Sequence, residues 1–202
     1  ADAGRILIAS FTDSMNIPIT QYRVYDTVAG TQIGTTQTVR GREWGSQRLA
    51  DGSRYLIVMS DSDPEFGFTI TTASVLDTTT GTLMGAKTTL LGSQDGMSVR
   101  RLPGTDRFLI TTTGMTYPSN RIVAQAAIID ATAGTQVGTT LTLNGNGSNS
   151  ILRTDRGYAV FNTGKELAVY DIASGLQAGT TVARDMIWNV LTSPDGTRAV
   201  FF

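Results

Sequence analysis

The chain has no histidine and no cysteine among its 202 residues. Without cysteine there is no disulfide, no thiolate nucleophile and no thiolate metal ligand; without histidine there is no imidazole base and no nitrogen ligand for zinc. An excess of one charge is missing as well. Sixteen Lys and Arg stand against 17 Asp and Glu, a formal charge of -1, so nothing in the balance points to nucleic acid or to anionic lipid as a partner. No apolar run nears the roughly 20 residues that a membrane helix needs, so membrane insertion is not expected. Ala1-Asp2-Ala3-Gly4-Arg5 lacks the apolar segment of a secretory leader, which reads as a mature or excised soluble piece.

Thirty-two threonines and 22 glycines are present instead, with only 7% aromatic residues, a mixture that favours strands separated by tight turns. Forty per cent hydrophobic residues supply a sizeable core. An apolar strand running into Asp-x-x-x-Gly-x-x-x-Gly occurs four times. It appears at Asp26 with Gly30 and Gly34, Asp77 with Gly81 and Gly85, Asp130 with Gly134 and Gly138, and Asp171 with Gly175 and Gly179, at steps of 51, 53 and 41. The aspartate can accept hydrogen bonds from amides two or three residues on, while glycine takes positive φ at little cost, so each copy reads as a hairpin.

A second element is a turn, an arginine and a short apolar strand, at Arg5, Arg54, Arg107, Arg156 and Arg198. Ser193-Pro194-Asp195-Gly196 is its plainest turn. A third short strand precedes the later copies, at Ser46 to Leu49, Ser98 to Leu102, Ser148 to Arg153 and Ile187 to Thr192. A threonine-rich fourth follows each Asp-x-x-x-Gly turn. The expected fold is all-β: a β-propeller of four-stranded antiparallel blades, about four repeats. The units run approximately over 1–44, 45–96, 97–147 and 148–186, with a partial one over 187–202, in a single domain or propeller segment. Two readings of the ends stay open. The strand around Ile187 to Thr192 can pair with the strand at Arg5 and close a small ring, or the chain is part of a larger ring completed by further blades or a second copy, since open strand edges call for a cover.

Ser193-Pro194-Asp195-Gly196-Thr197-Arg198, with Asp26-Thr27-Val28-Ala29-Gly30 and Asp77-Thr78-Thr79-Thr80-Gly81, resembles the YVTN-type, WD40-like bacterial β-propeller repeat over nearly the whole chain. The stretch from Gly134 to Leu143 is similar to repeat arrays of actinobacterial, including mycobacterial, secreted or surface proteins. The resemblance departs at Arg101-Leu102-Pro103-Gly104 and Thr154-Asp155-Arg156-Gly157, where the turn is degraded. It implies the propeller fold and an extracellular or cell-envelope location, and no particular activity.

Residues repeated once per blade read first as structural devices: the five arginines as braces for turn carbonyls or for a carboxylate such as Asp51 or Asp195, and Asp26, Asp77, Asp130 and Asp171 each as the anchor of its own turn. Carboxylates on separate blades do not reach the roughly 5–10 Å at which pairs act together. Arg48, Arg101 and Arg153, near the ends of inner strands, are candidates to line a central channel. Asp61-Ser62-Asp63-Pro64-Glu65 has calcium-like alternation but lacks the glycine and distal glutamate of a calcium loop, and reads as a solvated loop. Neither a metal nor a cofactor is expected. The nonuniform loops carry the recognition signal. Propeller topology places them on one face, where Trp44, Phe66, Phe68, Met115 and Tyr117 form a candidate binding face for a protein or glycan, or cap the core between blades. A noncatalytic binding or structural scaffold is the expected function. The rival is a lyase-like or lactonase-like enzyme at the channel mouth, in which an arginine holds an anionic substrate and Asp95 or Tyr117 moves the proton.

Overall fold

Threonine-rich and β-branched segments, punctuated by glycine turns, fold as strands that pair with their neighbours in sequence. The computed structural model describes residues 4–14, 17–62, 68–92, 98–146, 149–153, 157–183, 190–192 and 199–201. Sheet 1 comprises β1 (Arg5–Ser14), β2 (Ile17–Asp26) and β3 (Thr31–Arg40). Sheet 2 comprises β4 (Arg42–Arg48), β5 (Arg54–Ser62), β6 (Thr69–Asp77) and β7 (Thr82–Leu91). Sheet 3 comprises β8 (Ser98–Arg101), β9 (Arg107–Thr116), β10 (Arg121–Asp130) and β11 (Thr135–Asn144), and sheet 4 comprises β12 (Asn149–Arg153), β13 (Tyr158–Asn162), β14 (Glu166–Asp171) and β15 (Leu176–Ala183). A two-stranded sheet 5 holds β16 (Val190–Thr192) and β17 (Ala199–Phe201). Every pairing is antiparallel, so the fold is all-β and propeller-like, a file of small meanders.

The sheets stack in chain order. Leu56, Val58, Val75 and Leu90 of sheet 2 form one buried cluster with Phe108, Ile110, Ala127 and Ile129 of sheet 3. Tyr22, Val24 and Val39 pack likewise on Ile57, Met59 and Leu76, and Leu109, Ile128 and Leu141 on Ala159, Phe161 and Tyr170. Sheets 2 and 3 are covered on both faces, which is why Leu56-Ile57-Val58-Met59 reads as an unbroken apolar run instead of alternating. Removing each such side chain from water contributes roughly 1.5–3 kcal/mol.

The second glycine of each Asp-x-x-x-Gly-x-x-x-Gly copy sits at an irregularity in pairing, as between Ala126 and Ile128 opposite β11. Its φ is +65° at Gly138, a left-handed conformation that glycine tolerates. Its larger purpose lies between sheets. A Cβ on Gly138 would fall on the carbonyl oxygen of Gly175 in sheet 4, and a Cβ on Gly175 on the carbonyl of Val137, while the amide of Thr139 donates to the Gly175 carbonyl at 2.9 Å. Gly34 meets Gly81, and Gly85 meets Gly134, in the same way. The motif is thus both hairpin and stacking contact, a backbone-to-backbone approach that any side chain would block.

Three sequence expectations need correction. The inner strand of sheet 2 begins at Arg42, not Ser46, with an irregularity between Glu43 and Gly45, so Trp44 lies in a strand and not on a turn. The segment from Ile187 was one candidate to close a ring on β1, yet β16 pairs with β17, Val190 opposite Phe201, and among the described residues β1 pairs only with β2. Strands joined by a short connection meet at lower entropic cost than distant ones. The arginine series also slips. Arg5, Arg54 and Arg107 lie opposite Asp26, Asp77 and Asp130, but the residue opposite Asp171 is Tyr158. The amides of Ala131 and Ile172, each next after its aspartate, donate to the carbonyls of Asp106 and Gly157, so Tyr158 takes the place of Arg107.

A comparison within the motif isolates the stacking contact. Gly179 has a φ of +74° and no neighbour within 4 Å among the described residues, whereas Gly138 is packed. Gly179→Ala should cost about 1–2 kcal/mol for the left-handed backbone alone, and Gly138→Ala about 3–5 kcal/mol once the clash is added. Urea denaturation of both variants measures the gap, and equal losses would refute an inter-sheet role.

Candidate functional site

The repeated charged residues are largely consumed by their own surroundings. Asp26 Oδ1 accepts from the amides of Val28 and Ala29 at 2.8 and 2.9 Å, and Asp130 Oδ1 from those of Thr132 and Ala133 at 2.9 and 3.0 Å. Asp77 and Asp171 accept from Thr79 and Ser174, in each case from both hydroxyl and amide. Arg107 donates from Nε to Asp130 at 3.3 Å and from Nη1 to the Ala173 carbonyl at 2.8 Å, bracing the next sheet's turn. Its carboxylate partner is the one across the strand pair; Asp51 instead binds Ser53. Arg54 differs: its Nε is buried with no hydrogen-bond partner among the described residues. Arg156 and Arg198 lie outside those residues.

Arg48 and Arg101 end their inner strands opposite Tyr55 and Phe108. The Arg48 guanidinium stands 5.9 Å from the Tyr55 ring centroid, and Arg101 Nη2 pairs with Asp106 at 2.8 Å. Arg153 lies opposite Tyr158 and so takes the place that Leu49 and Leu102 hold in the earlier sheets, one step from Arg48 and Arg101. Of the acidic run, Asp61 is a β5 residue paired with Arg40 at 2.8 Å, while Asp63 and Glu65 lie outside the described residues. Two buried tyrosines serve packing. Burial, and after it the Glu43 carboxylate that accepts from its hydroxyl, raises Tyr22. Burial pushes Tyr170 up to about 12, and its hydroxyl donates to the Thr139 carbonyl.

The antiparallel order places the β5–β6, β9–β10 and β13–β14 connections at one end of the sheets, beside the exits of β7 and β11. Here the candidate face divides. Phe68 and Tyr117 meet with ring centroids 5.7 Å apart, and Phe68 and Met115 line a shared depression of about 220 Å3. Tyr117 is 62% exposed and Met115 48%, so this ridge presents apolar surface to solvent. Trp44 is also exposed, on β4, and Phe66 lies outside the described residues.

A cleft beside this ridge, between sheets 3 and 4, was not legible in sequence. It measures about 700 Å3 and is lined by Asn120, Arg121, Ile122, Asn144, Asn146 and Lys165, among others. Arg121 Nη2 donates to Asn144 Oδ1, Asn144 Nδ2 donates to Glu166 Oε1, and the Asn144 amide donates to Glu166 Oε2 at 2.7 Å. Turn and strand-end residues from three separate connections form this network, and none belongs to a repeated motif. The one sequence signal was that the Met115–Asn120 and Asn162–Lys165 connections differ from their counterparts. Among the described residues no group of three or more Asp or Glu could hold a metal ion.

No family model matches the chain, and no curated protein matches it. Among solved structures it is similar to a eukaryotic initiation factor, with TM-score 0.46 and 10% identity over 97% of this chain and 44% of that one. TolB from Acinetobacter baumannii gives TM-score 0.37 and 19% identity over 98% and 45%. The AfRom2 CNH domain gives 0.32 and 10% over 94% and 54%. The chain thus spans about half the length of each, and at these values the likenesses carry nothing about activity or partner.

The aspartate turns have an acid signature. Amide bonds from Ala29 and Val28 lower Asp26. For Asp77 and Asp130 burial is the largest influence and pushes upward, but the hydrogen bonds together outweigh it and both end below the ordinary value of 3.8. A depressed carboxylate contributes stability that is present above its unfolded value and is lost as pH falls through the folded one. Melting temperature should therefore drop as pH is taken below 3.8, and Asp77→Asn with Asp130→Asn should flatten that drop. An unchanged acid profile in the double variant would refute the assignment.

Proposed function

We propose that the chain is a noncatalytic binding or structural scaffold, a bacterial exported β-propeller of the YVTN-like kind that presents its loop end to a protein or glycan partner. One observation carries this reading: exposed Tyr117 and Met115 beside half-buried Phe68, apolar surface at the end where the connections differ from one another. The rival enzyme draws less support from Tyr117, whose ring lies against Phe68 with the two planes tilted by 45°, while Asp95 lies outside the described residues. An extracellular or cell-envelope location belongs to the same proposal.

The ring belongs to it too. Ile6 and Ile8 occupy the positions that Tyr55 and Ile57 hold in sheet 2, on the face turned toward the preceding sheet, yet they are 47% and 43% exposed. Gly30 likewise has open space where Gly81 meets its neighbour. A further sheet of the same repeat fits that face, supplied by more of the same polypeptide or by a second copy.

The binding reading is tested by immobilising the chain and passing a panel of envelope polysaccharides over it. Tyr117→Ser and Met115→Ser should weaken any binding while leaving melting temperature unchanged, and Arg101→Gln at the opposite end should leave it intact. Binding lost only through Arg101 would overturn the assignment to the loop end.

A further inference from the structure

The cleft between sheets 3 and 4 differs from the junction before it in a way that packing does not require. At the junction of sheets 2 and 3, Gln125 Oε1 accepts the amide of Leu91, the last residue of β7, at 2.6 Å. Gln125 lies five residues before Asp130, and Glu166 lies five before Asp171. Glu166 makes the corresponding bond to the amide of Asn144, the last residue of β11. A neutral amide therefore suffices to close such a junction. At sheets 3 and 4 a carboxylate stands in its place, and Asn144 replaces leucine.

Those two changes build a polar chain. Glu166 accepts from the Asn144 side-chain amide, which fixes that amide's orientation and turns Oδ1 toward the Arg121 guanidinium. A guanidinium has five N–H donors, and this bond engages one nitrogen while holding the group at the cleft wall. Lys165, exposed on the β13–β14 connection, lines the same cleft. Two cations thus flank this space, and among the described residues no carboxylate lines it; Glu166 is bonded behind Asn144. The rest of the lining is uncharged, and in it Asn120 and Asn146 are exposed and Ile122 is 50% exposed. Tyr117 stands on the same β9–β10 turn as Asn120.

We propose that this cleft binds a carboxylate-bearing saccharide. Arg121 and Lys165 take the carboxylate, the asparagine amides serve the sugar hydroxyls, and Ile122 offers apolar surface to ring C–H groups. Glu166 is a positioning residue that acts through Asn144. This site deepens the binding reading above and rests on it.

Titration calorimetry with trigalacturonate, and with the neutral galactose trimer as control, provides the test. Trigalacturonate should bind and the neutral trimer should not. Arg121→Gln and Lys165→Gln should each weaken binding about ten-fold, the scale of one charge-assisted bond to an exposed site. Glu166→Gln keeps one acceptor oxygen, for the Asn144 backbone amide as Gln125 does for Leu91, and loses the one that holds the Asn144 side chain, so it should weaken binding by a smaller factor than loss of either cation. No heat with trigalacturonate, equal affinity for the neutral trimer, or affinity untouched by Arg121→Gln and Lys165→Gln would overturn the proposal. Should trigalacturonate fail while another polysaccharide binds through Tyr117 and Met115, the carboxylate preference falls and the loop-end reading stands.

Discussion

Backbone-to-backbone contact between successive sheets governs this protein. A sheet carried on side chains alone stands roughly 10 Å from its neighbour, and the outer hairpins here approach far more closely, because a glycine of one sheet meets a carbonyl of the next. The contact recurs at Gly34, Gly85 and Gly138. With the outer hairpins pinned, the apolar clusters between the strands fill a gap of set width, and large residues such as Phe108 and Tyr170 become fully buried. Arg107 adds a polar brace across one of these joints by reaching the carbonyls of the following turn.

The two ends of the sheets differ in their polar side chains. At the end of the sheets bearing the aspartate turns, each of the four aspartates binds the amides of its own turn, and Arg107 reaches from Asp130 to the turn of the following sheet. At the other end a glycine contact also recurs, with Gly41, Gly92 and Gly145 each set against a carbonyl of the next sheet, but the side chains beside it differ: Arg40 with Asp61 between sheets 1 and 2, Gln125 with Leu91 between sheets 2 and 3, and the Glu166–Asn144–Arg121 chain between sheets 3 and 4. Variation is tolerated there because the glycines already hold the sheets together.

Much of this architecture could be read along the chain, since its signals are local. An aspartate followed by glycine is a turn wherever it occurs, and four copies at blade-like spacing name the meander. The arginine series was less secure. Arg156 matched by residue type, but the strand register is set by which amides meet, and pairing brought Tyr158 opposite Asp171. The second glycine of the motif was visible as part of a hairpin, while the carbonyl that it approaches belongs to a hairpin about 40 to 50 residues away, a separation the four copies show but whose meaning they do not.

What the sequence by itself determined, then, is the strand and turn alternation, the all-β class and the anchoring of each hairpin by its aspartate, because those depend on contacts within a few residues. Tertiary structure alone decided that Phe68 reaches Tyr117, that Arg121, Asn144 and Lys165 line one cleft, and that Glu166 is bonded to its Asn144 wall. These residues come from three connections with no common motif. Their proximity follows from how one sheet is stacked on the next, and Gly145, which meets the Thr163 carbonyl across that junction, lies in the cleft itself.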